Sequence, residues 1–558
     1  MRAKALKAGR VVISLLFLIF TGFLFLDFAG TFSSSLINGI TWIQFVPSLI
    51  KFLNLISFLT LGFLVVVAAT LLFGRIYCST VCPLGVLQDV VSWISKQYTR
   101  IRGRRVRYRP SPPKNLLRYG LLAITVVTFL SGSIFLLNLL DPFSLFGKIF
   151  SGLVRPVYFW MNNMAAWVLQ SHDIYTLYDV ETRRMTAAPL VFPAFMLGLV
   201  VWLSFTRGRL YCNTVCPVGS FLGLLSKKAM YRIEIDDDLC NHCAKCSLNC
   251  KAECIDLKNN EVDFSRCVGC FNCLKVCSRQ GIDYKNQWFS SGKKKGTDVA
   301  RNDTEAPPVV GPARDGVHYC GTDRRKFLYH LSGWLAGGTA LSSVSATKAA
   351  QPNDRRDEVD VEVTRPSTIP EQKNHPVSPP GSVGLDHFRD NCTACQLCVS
   401  ACPTRVLQPS FLEHGFTGMM QPRMDFHASY CSFDCVICTE ICPTGALLPL
   451  GMEEKHLSQL GVVRLELDNC VVKAEGTACG ACAEHCPTQA VRMVPWQDGL
   501  TLPEIHPEHC VGCGGCEYIC PTRPYRAIYV DGNQVHAKAT PPVFEELDYE
   551  EPEEDFPF

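Results

Sequence analysis

The sequence predicts a multi-domain chain: a four-helix transmembrane domain followed by two small cysteine-rich α+β modules. Three observations carry this. Long uncharged apolar stretches fill roughly the first 210 residues. The 30 cysteines fall mostly into six short, similarly spaced blocks, and charged, proline-containing segments divide those blocks into two groups. At 558 residues the chain has room for several domains. Its net charge of +3 says nothing about partners, and no nucleic-acid partner is expected.

The membrane domain is assigned to residues 1–232. Four stretches have the length and composition of bilayer spans: residues 11–32 (interrupted by Asp27), 52–73, 119–140 and 189–206. Positive residues set the orientation. Arg2, Lys4, Lys7 and Arg10 precede the first stretch, nine basic residues from Lys96 to Arg118 lie between the second and third, and Arg207 and Arg209 follow the fourth. These segments are expected on the cytoplasmic side. The nearly uncharged loop at 33–50 and the segment 144–188, with Trp160 and Trp167, are expected outside, the latter partly as an interfacial helix. No cleavable signal opens the chain, because the first apolar stretch runs straight into more membrane-like sequence.

An internal repeat marks two span ends. Gly74-Arg-Ile-Tyr-Cys78-Ser-Thr-Val-Cys82-Pro83-Leu-Gly85 recurs as Gly208-Arg-Leu-Tyr-Cys212-Asn-Thr-Val-Cys216-Pro217-Val-Gly219. The Cys-x3-Cys spacing puts two thiols one helical turn apart on one face. Two such faces meeting about a pseudo-two-fold axis present four thiols. They are read either as a packed thiol layer or redox disulfide, or as ligands for iron or another metal.

The remaining blocks carry the chemistry. Cys510-x2-Cys513-x2-Cys516-x3-Cys520-Pro521 has the spacing that holds a [4Fe–4S] cube, with the fourth cysteine reaching a neighbouring cluster. Gly512, Gly514 and Gly515 allow backbone N–H groups to turn toward the sulfurs. Disulfide scaffolds belong to short secreted chains, and structural zinc uses separated Cys pairs, so neither fits six packed triplets. Residues 233–285 form a two-cluster ferredoxin-like module. Its expected sharing assigns Cys240, Cys243, Cys246 and Cys277 to one cube and Cys267, Cys270, Cys273 and Cys250 to the other. Lys251 and Ser278 stand where prolines usually follow the fourth cysteine, and Cys254 is an extra thiol, read as a small packed side chain.

A linker (286–322, with a lone Cys320) leads to Arg324-Arg325-Lys-Phe-Leu and a short Gly- and Ser-rich apolar run. Residues 323–350 therefore read as a twin-arginine-like export signal or anchor, with a basic membrane anchor as the plain alternative. A second linker (351–384) precedes a four-cluster module at 385–535. Its sixteen ligand candidates are Cys392, Cys395, Cys398, Cys402, then Cys431, Cys435, Cys438, Cys442, then Cys470, Cys479, Cys482, Cys486, and finally Cys510, Cys513, Cys516, Cys520. Each block ends in Cys-Pro. Either neighbouring blocks share clusters, or the first pairs with the fourth and the second with the third. The acidic tail (536–558) reads as solvated chain or, less simply, as a docking patch for a basic redox partner.

On these motifs, residues 1–285 resemble the NapH-type membrane ferredoxins, relatives of NosR and CcoG, and residues 323–535 resemble the NapG/MauM-type exported ferredoxins. The resemblance implies oxidation of quinol from the quinone pool at a bacterial inner membrane, with electrons passed to a periplasmic reductase or cytochrome of a nitrate reductase-like system. It places the N-terminus in the cytoplasm and the four-cluster domain in the periplasm. Six [4Fe–4S] clusters are expected. The only histidine before residue 240 is His172, outside all four stretches, so a bis-histidine haem bridge is excluded, and no phosphate loop marks a flavin or nucleotide site. Asp27 and Asp141 are the candidates for quinol proton handling; no residue is singled out as catalytic. The alternatives are a conduit fed by a cytoplasmic ferredoxin or dehydrogenase, and a maturation or regulatory redox protein of the NosR/CcoG kind.

Overall fold

A computed structural model describes residues 2–287 and 367–541, apart from 28, 29, 31, 55–59, 104–107, 109, 110 and 181–187. The described residues form one compact unit. The 286–322 linker beyond residue 287, Cys320, the twin-arginine-like segment and most of the acidic tail lie outside them.

The membrane part is helical because its apolar runs are long and lack strand-like alternation. In order it comprises α1 (Arg2–Leu26), α2 (Ser34–Trp42), α3 (Phe45–Asn54), α4 (Gly62–Phe73), α5 (Tyr77–Thr80), α6 (Pro83–Ile101), α7 (Asn115–Leu130), α8 (Phe135–Leu140) and α9 (Pro142–Ile149). A π-helical turn, Phe150–Val154, joins α9 to α10 (Arg155–Gln170); α11 (Ala188–Arg207), α12 (Leu210–Thr214) and α13 (Pro217–Ser226) follow. Pro83 and Pro217 each begin a helix, where the missing N–H costs nothing.

The four expected spans are only partly met. Among the described residues two helices, Lys4–Leu26 and Ala188–Arg207, are long and apolar enough to cross a membrane. Among its described residues the second stretch supplies the end of α3 and the 12-residue α4. The third breaks at Gly132, whose φ of +87° ends α7. The loop expected at 33–50 is instead a pair of apolar helices, α2 and α3, bent by 103°.

The first module pairs β1 (Tyr231–Ile235) with β4 (Ile282–Asn286) and β2 (Ile255–Asp256) with β3 (Glu261–Val262), all antiparallel, around α14 (Lys245–Leu248) and α15 (Asn272–Val276). The C-terminal module begins earlier than the sequence indicated. Ser367 already pairs with Arg523 (2.9 Å), and Asn374 donates to Asp531 (2.7 Å), so residues 367–384 pack along the module rather than link to it. The module holds α16 (Leu385–Asn391), α17 (Leu397–Ala401) and three antiparallel pairs: β5 (Leu407–Pro409) with β6 (Pro422–Met424), β7 (Ser458–Leu465) with β10 (Ile528–Lys538), and β8 (Val491–Pro495) with β9 (Thr501–Ile505).

The two modules contact opposite ends of α1. α1 packs against α15 and α17: Lys7, near its N-terminal end, lies close to Cys270 and Lys275, and Phe25, near its C-terminal end, shares Gly147 as a neighbour with Cys395. Phe25 there meets Phe143 and Phe146, whose helix α9 passes so close to Cys395 that a Cβ on Gly147 would overlap the Cys395 carbonyl oxygen. The stretch of α1 from Lys7 to Phe25 is about 27 Å long. Contacts segregate accordingly. Ser34 and Asn38 reach Glu440 (2.9 and 3.0 Å), Asn54 reaches Thr444 (3.0 Å), Asn138 reaches Met419 (3.0 Å), and Arg155 reaches the carbonyls of Val399 and Ser400 (3.2 and 2.7 Å). At the other end Arg118 donates to Ser265 and the Arg209 amide to Lys251 (3.0 Å).

Candidate metal centres

Spacing makes each cluster loop locally. In the four blocks with two-residue gaps, the residue on at least one side of the middle cysteine takes a left-handed conformation, and the register is the same: His242 and Ala244, Gly269 and Phe271, Ala394 and Gln396, Gly512 and Gly514. Such conformations cost non-glycine residues free energy and persist at sites where surrounding structure requires them. Their effect is to aim amides inward. The Ala394 amide donates to Cys392 Sγ (3.4 Å) and the Gly512 amide to Cys510 Sγ (3.3 Å). Gly515 has no positive φ, so only two of the three glycines of that block serve the turn.

The fourth cysteines come from the adjacent block. One cavity is lined by Cys240, Cys243, Cys246 and Cys277. A second is lined by Cys431, Cys435, Cys438 and Cys402, and a third by Cys470, Cys479, Cys482 and Cys520. The reciprocal groups bring Cys250 near Cys270 and Cys273, Cys442 near Cys392, Cys395 and Cys398, and Cys486 near Cys510, Cys513 and Cys516. Neighbouring blocks therefore place their last cysteines beside each other's triplets: first with second, third with fourth. All twenty-four cysteines fall into six groups of three plus one. Burial pushes the Cys431 and Cys513 thiols up to about 12, so metal must displace protons as it binds.

Three features escaped the sequence. In the C-terminal module a threonine two residues after each block's last cysteine brings its hydroxyl to that sulfur: Thr404, Thr444, Thr488 and Thr522 lie 3.6, 3.7, 3.8 and 3.2 Å from Cys402, Cys442, Cys486 and Cys520. The repeated Cys-Pro-Thr was the available signal. Cys254 is not merely packed: its sulfur lies 3.5 Å from Cys250 Sγ, and this contact holds Cys250 down to about 7. Lys251, in the usual proline position, pairs with Asp89 (3.2 Å), which also binds Arg10 (2.5 Å) and Arg209 (2.9 Å). Nothing in the local pattern of α6 distinguishes Asp89.

The repeated motifs meet in the membrane part. Cys78, Cys82, Cys212 and Cys216 are buried in one apolar cluster, within electrostatic reach of one another, and none is disulfide-bonded. The arginine of each motif crosses to the other: Arg75 donates to the Gly219 carbonyl (2.7 Å), and Arg209 to the Cys78 carbonyl (2.6 Å). Gly85 and Gly219 occupy matching places, where a Cβ would overlap the carbonyl oxygens of Cys78 and Cys212. Asp141 caps α9, accepting from the Ser144 amide (2.8 Å) and hydroxyl (2.7 Å), and Asp27 accepts from the Phe32 amide (3.1 Å); both have structural partners.

Comparison with known proteins agrees with this chemistry. A family described as a 4Fe-4S binding domain matches residues 55–102 and 188–233, and one described as a 4Fe-4S dicluster domain matches 381–446 and 477–523. The first pair of segments contains Cys78, Cys82, Cys212 and Cys216 and no other cysteine. The methylamine utilization ferredoxin-type protein MauN of Paracoccus denitrificans is 25% identical over 181 residues, 32% of this chain and 48% of MauN. The ferredoxin-type protein NapH of Escherichia coli is 24% identical over 190 residues, 34% of this chain and 51% of NapH. The ferredoxin-type protein NapF of Escherichia coli is 27% identical over 136 residues, 24% of this chain and 74% of NapF. The chain thus spans about half the length of MauN and NapH. No solved structure matches.

Proposed function

We propose that this homologue of the MauN, NapH and NapF ferredoxin-type proteins is a membrane-bound electron conduit of the quinol dehydrogenase type. In this reading it passes electrons from the quinone pool to an extracytoplasmic reductase or cytochrome. The observation that carries it is the placement of one cysteine-rich module at each end of α1. The segments that positive residues assign to the cytoplasmic side touch the 233–285 module, and those assigned outside touch the C-terminal module. This supports a cytoplasmic first module and a periplasmic second one. The twenty-four paired cysteines hold six [4Fe–4S] clusters, which supply one-electron redox steps when bound. The protein's own part is to fix their order and to tune the sulfurs through amides, Thr hydroxyls and Cys254. The NosR/CcoG-like maturation role is not favoured by any structural feature.

A second reading is favoured by one feature. Cys243 is exposed at the far end of the first module, where a soluble cytoplasmic donor could deliver electrons. Anaerobic protein in lipid nanodiscs, mixed with a quinol analogue, tests both. Quinol is expected to bleach the cluster absorbance at a rate competent for turnover. Reduction by dithionite or a reduced ferredoxin but not by quinol would overturn the quinol-fed reading and leave the soluble-donor one.

A further inference from the structure

We propose that Cys78, Cys82, Cys212 and Cys216 jointly hold a seventh [4Fe–4S] cluster, one centre shared by the two repeat halves, which links the inner and outer modules. The inference rests on the electron-conduit reading above.

Position is the first argument. The core that contains the four thiols runs without interruption from α1, α5 and α9 to Cys395, Leu397 and Ile441 of the C-terminal module. At its other end Arg75, which follows directly on α4, donates to the carbonyls of Arg266 and Cys267 beside the inner cluster loop. The four thiols are therefore the redox-capable cysteines between Cys267 and Cys395. Without them, an electron must cross much of the 27 Å or so of α1 in one step.

Charge is the second. Arg75 and Arg209 are fully buried, and Arg10 nearly so. Arg10, Arg209 and Lys251 share the single carboxylate of Asp89, and Arg75 bonds only neutral acceptors: Asn213 Oδ1 and three carbonyls. Arg209 Nη2 has no hydrogen-bond partner. A layer of neutral thiols leaves these cations only Asp89 and the thiolates of the inner cluster loop to offset them in a low-dielectric interior. Four thiolates on a cube carry net negative charge in the right place. The Gly219 amide donates to Cys216 Sγ (3.3 Å), as amides do at the cluster loops, and Gln88 meets Cys212 Sγ with both ends of its amide, Nε2 donating (3.3 Å) and Oε1 accepting (3.5 Å).

The thiol spacing argues against a single ion. Sulfurs around tetrahedral zinc lie about 3.8 Å apart. Among the described residues, only Glu371, His427 and Glu517 bring three ligand atoms within 4.8 Å of one another. With clusters bound, Cys250, Cys267, Cys270 and Cys273 would hold the one-electron donor and Cys392, Cys395, Cys398 and Cys442 the one-electron acceptor, so that each electron gained by the shared centre would be matched by one lost. No proton is taken up.

The test uses the full chain, purified anaerobically in nanodiscs, with and without Cys82→Ser/Cys216→Ser. The parent is expected to show seven spin systems on reduction. The variant is expected to lose about one seventh of the iron and one spin system, keep the other six, and lose transfer from an inner-side donor to the outer clusters. Unchanged iron and transfer, or stoichiometric zinc in the parent, overturns the proposal. Should the double variant not accumulate, Gln88→Leu removes the hydrogen bond at Cys212 with the ligands intact. It is expected to shift one midpoint potential alone, and no shift overturns the proposal. Seven spin systems without quinol reduction would sink only the quinol reading; six with normal quinol reduction would sink only this one.

Discussion

Asp89→Asn is the most informative single change. It keeps the shape of the side chain and removes one negative charge from a node where Arg10, Arg209 and Lys251 converge at 2.5, 2.9 and 3.2 Å. Asp89 is 7% exposed, Arg10 6% and Arg209 0%. Solvent therefore offers little relief, and removing one partner of a buried pair costs about 3–5 kcal/mol because the other charge is left uncompensated. Three cations share the loss here, so the upper part of that range is expected. The node joins α1, α6, the second Cys-Pro motif and the Lys251 loop of the inner module, so the inner module should loosen first. Thermal unfolding in nanodiscs, followed by loss of cluster absorbance, should show a midpoint lowered by on the order of 10 °C. Protease sensitivity near residue 251 should rise at lower temperature. Adding Lys251→Gln should recover part of the loss, with a coupling energy of about 0.5–3 kcal/mol. A midpoint within about a degree of the parent, or strict additivity of the two changes, would refute the charge-node argument.

Two further outcomes are expected. Gly147→Ala places a Cβ against the Cys395 carbonyl and the Phe25 ring, an overpacking expected to cost about 1–3 kcal/mol. It should weaken docking of the outer module, read as faster proteolysis between the module and α9. Gly198→Ala, with nothing within 4 Å of the added atom, should be silent, and equal behaviour of the two would count against the docking geometry. His414, fully buried with its Nε2 3.0 Å from the Pro422 carbonyl, is pushed by burial down to about 4 from an ordinary 6.5. Its unfolded form binds a proton first, so stability contributed by the neutral ring is complete above pH 6.5 and is lost as pH falls toward 4, by about 3 kcal/mol. His414→Gln should flatten the acid side of the module's stability profile, and an unchanged slope would contradict this.

Local spacing explains what could be read from the chain alone. A Cys-x2-Cys-x2-Cys loop is made by consecutive residues, so its turn and its ligand character are inherent in the string, as are the duplicated Cys-Pro motifs and the apolar character of α1 and α11. Span lengths were legible only in part: hydropathy does not report where Gly132 ends α7 or where α2 and α3 bend.

The placement of last cysteines beside the neighbouring block's triplet, the Asp89 node, and the seating of Cys395 on α9 depend on residues tens to hundreds of positions apart. Such pairings are chosen by how helices and loops pack and by which buried charges can be matched, and no local pattern encodes them. The amino-acid string specified the iron-binding chemistry; the tertiary structure alone placed a module at each end of one helix with four thiols between them.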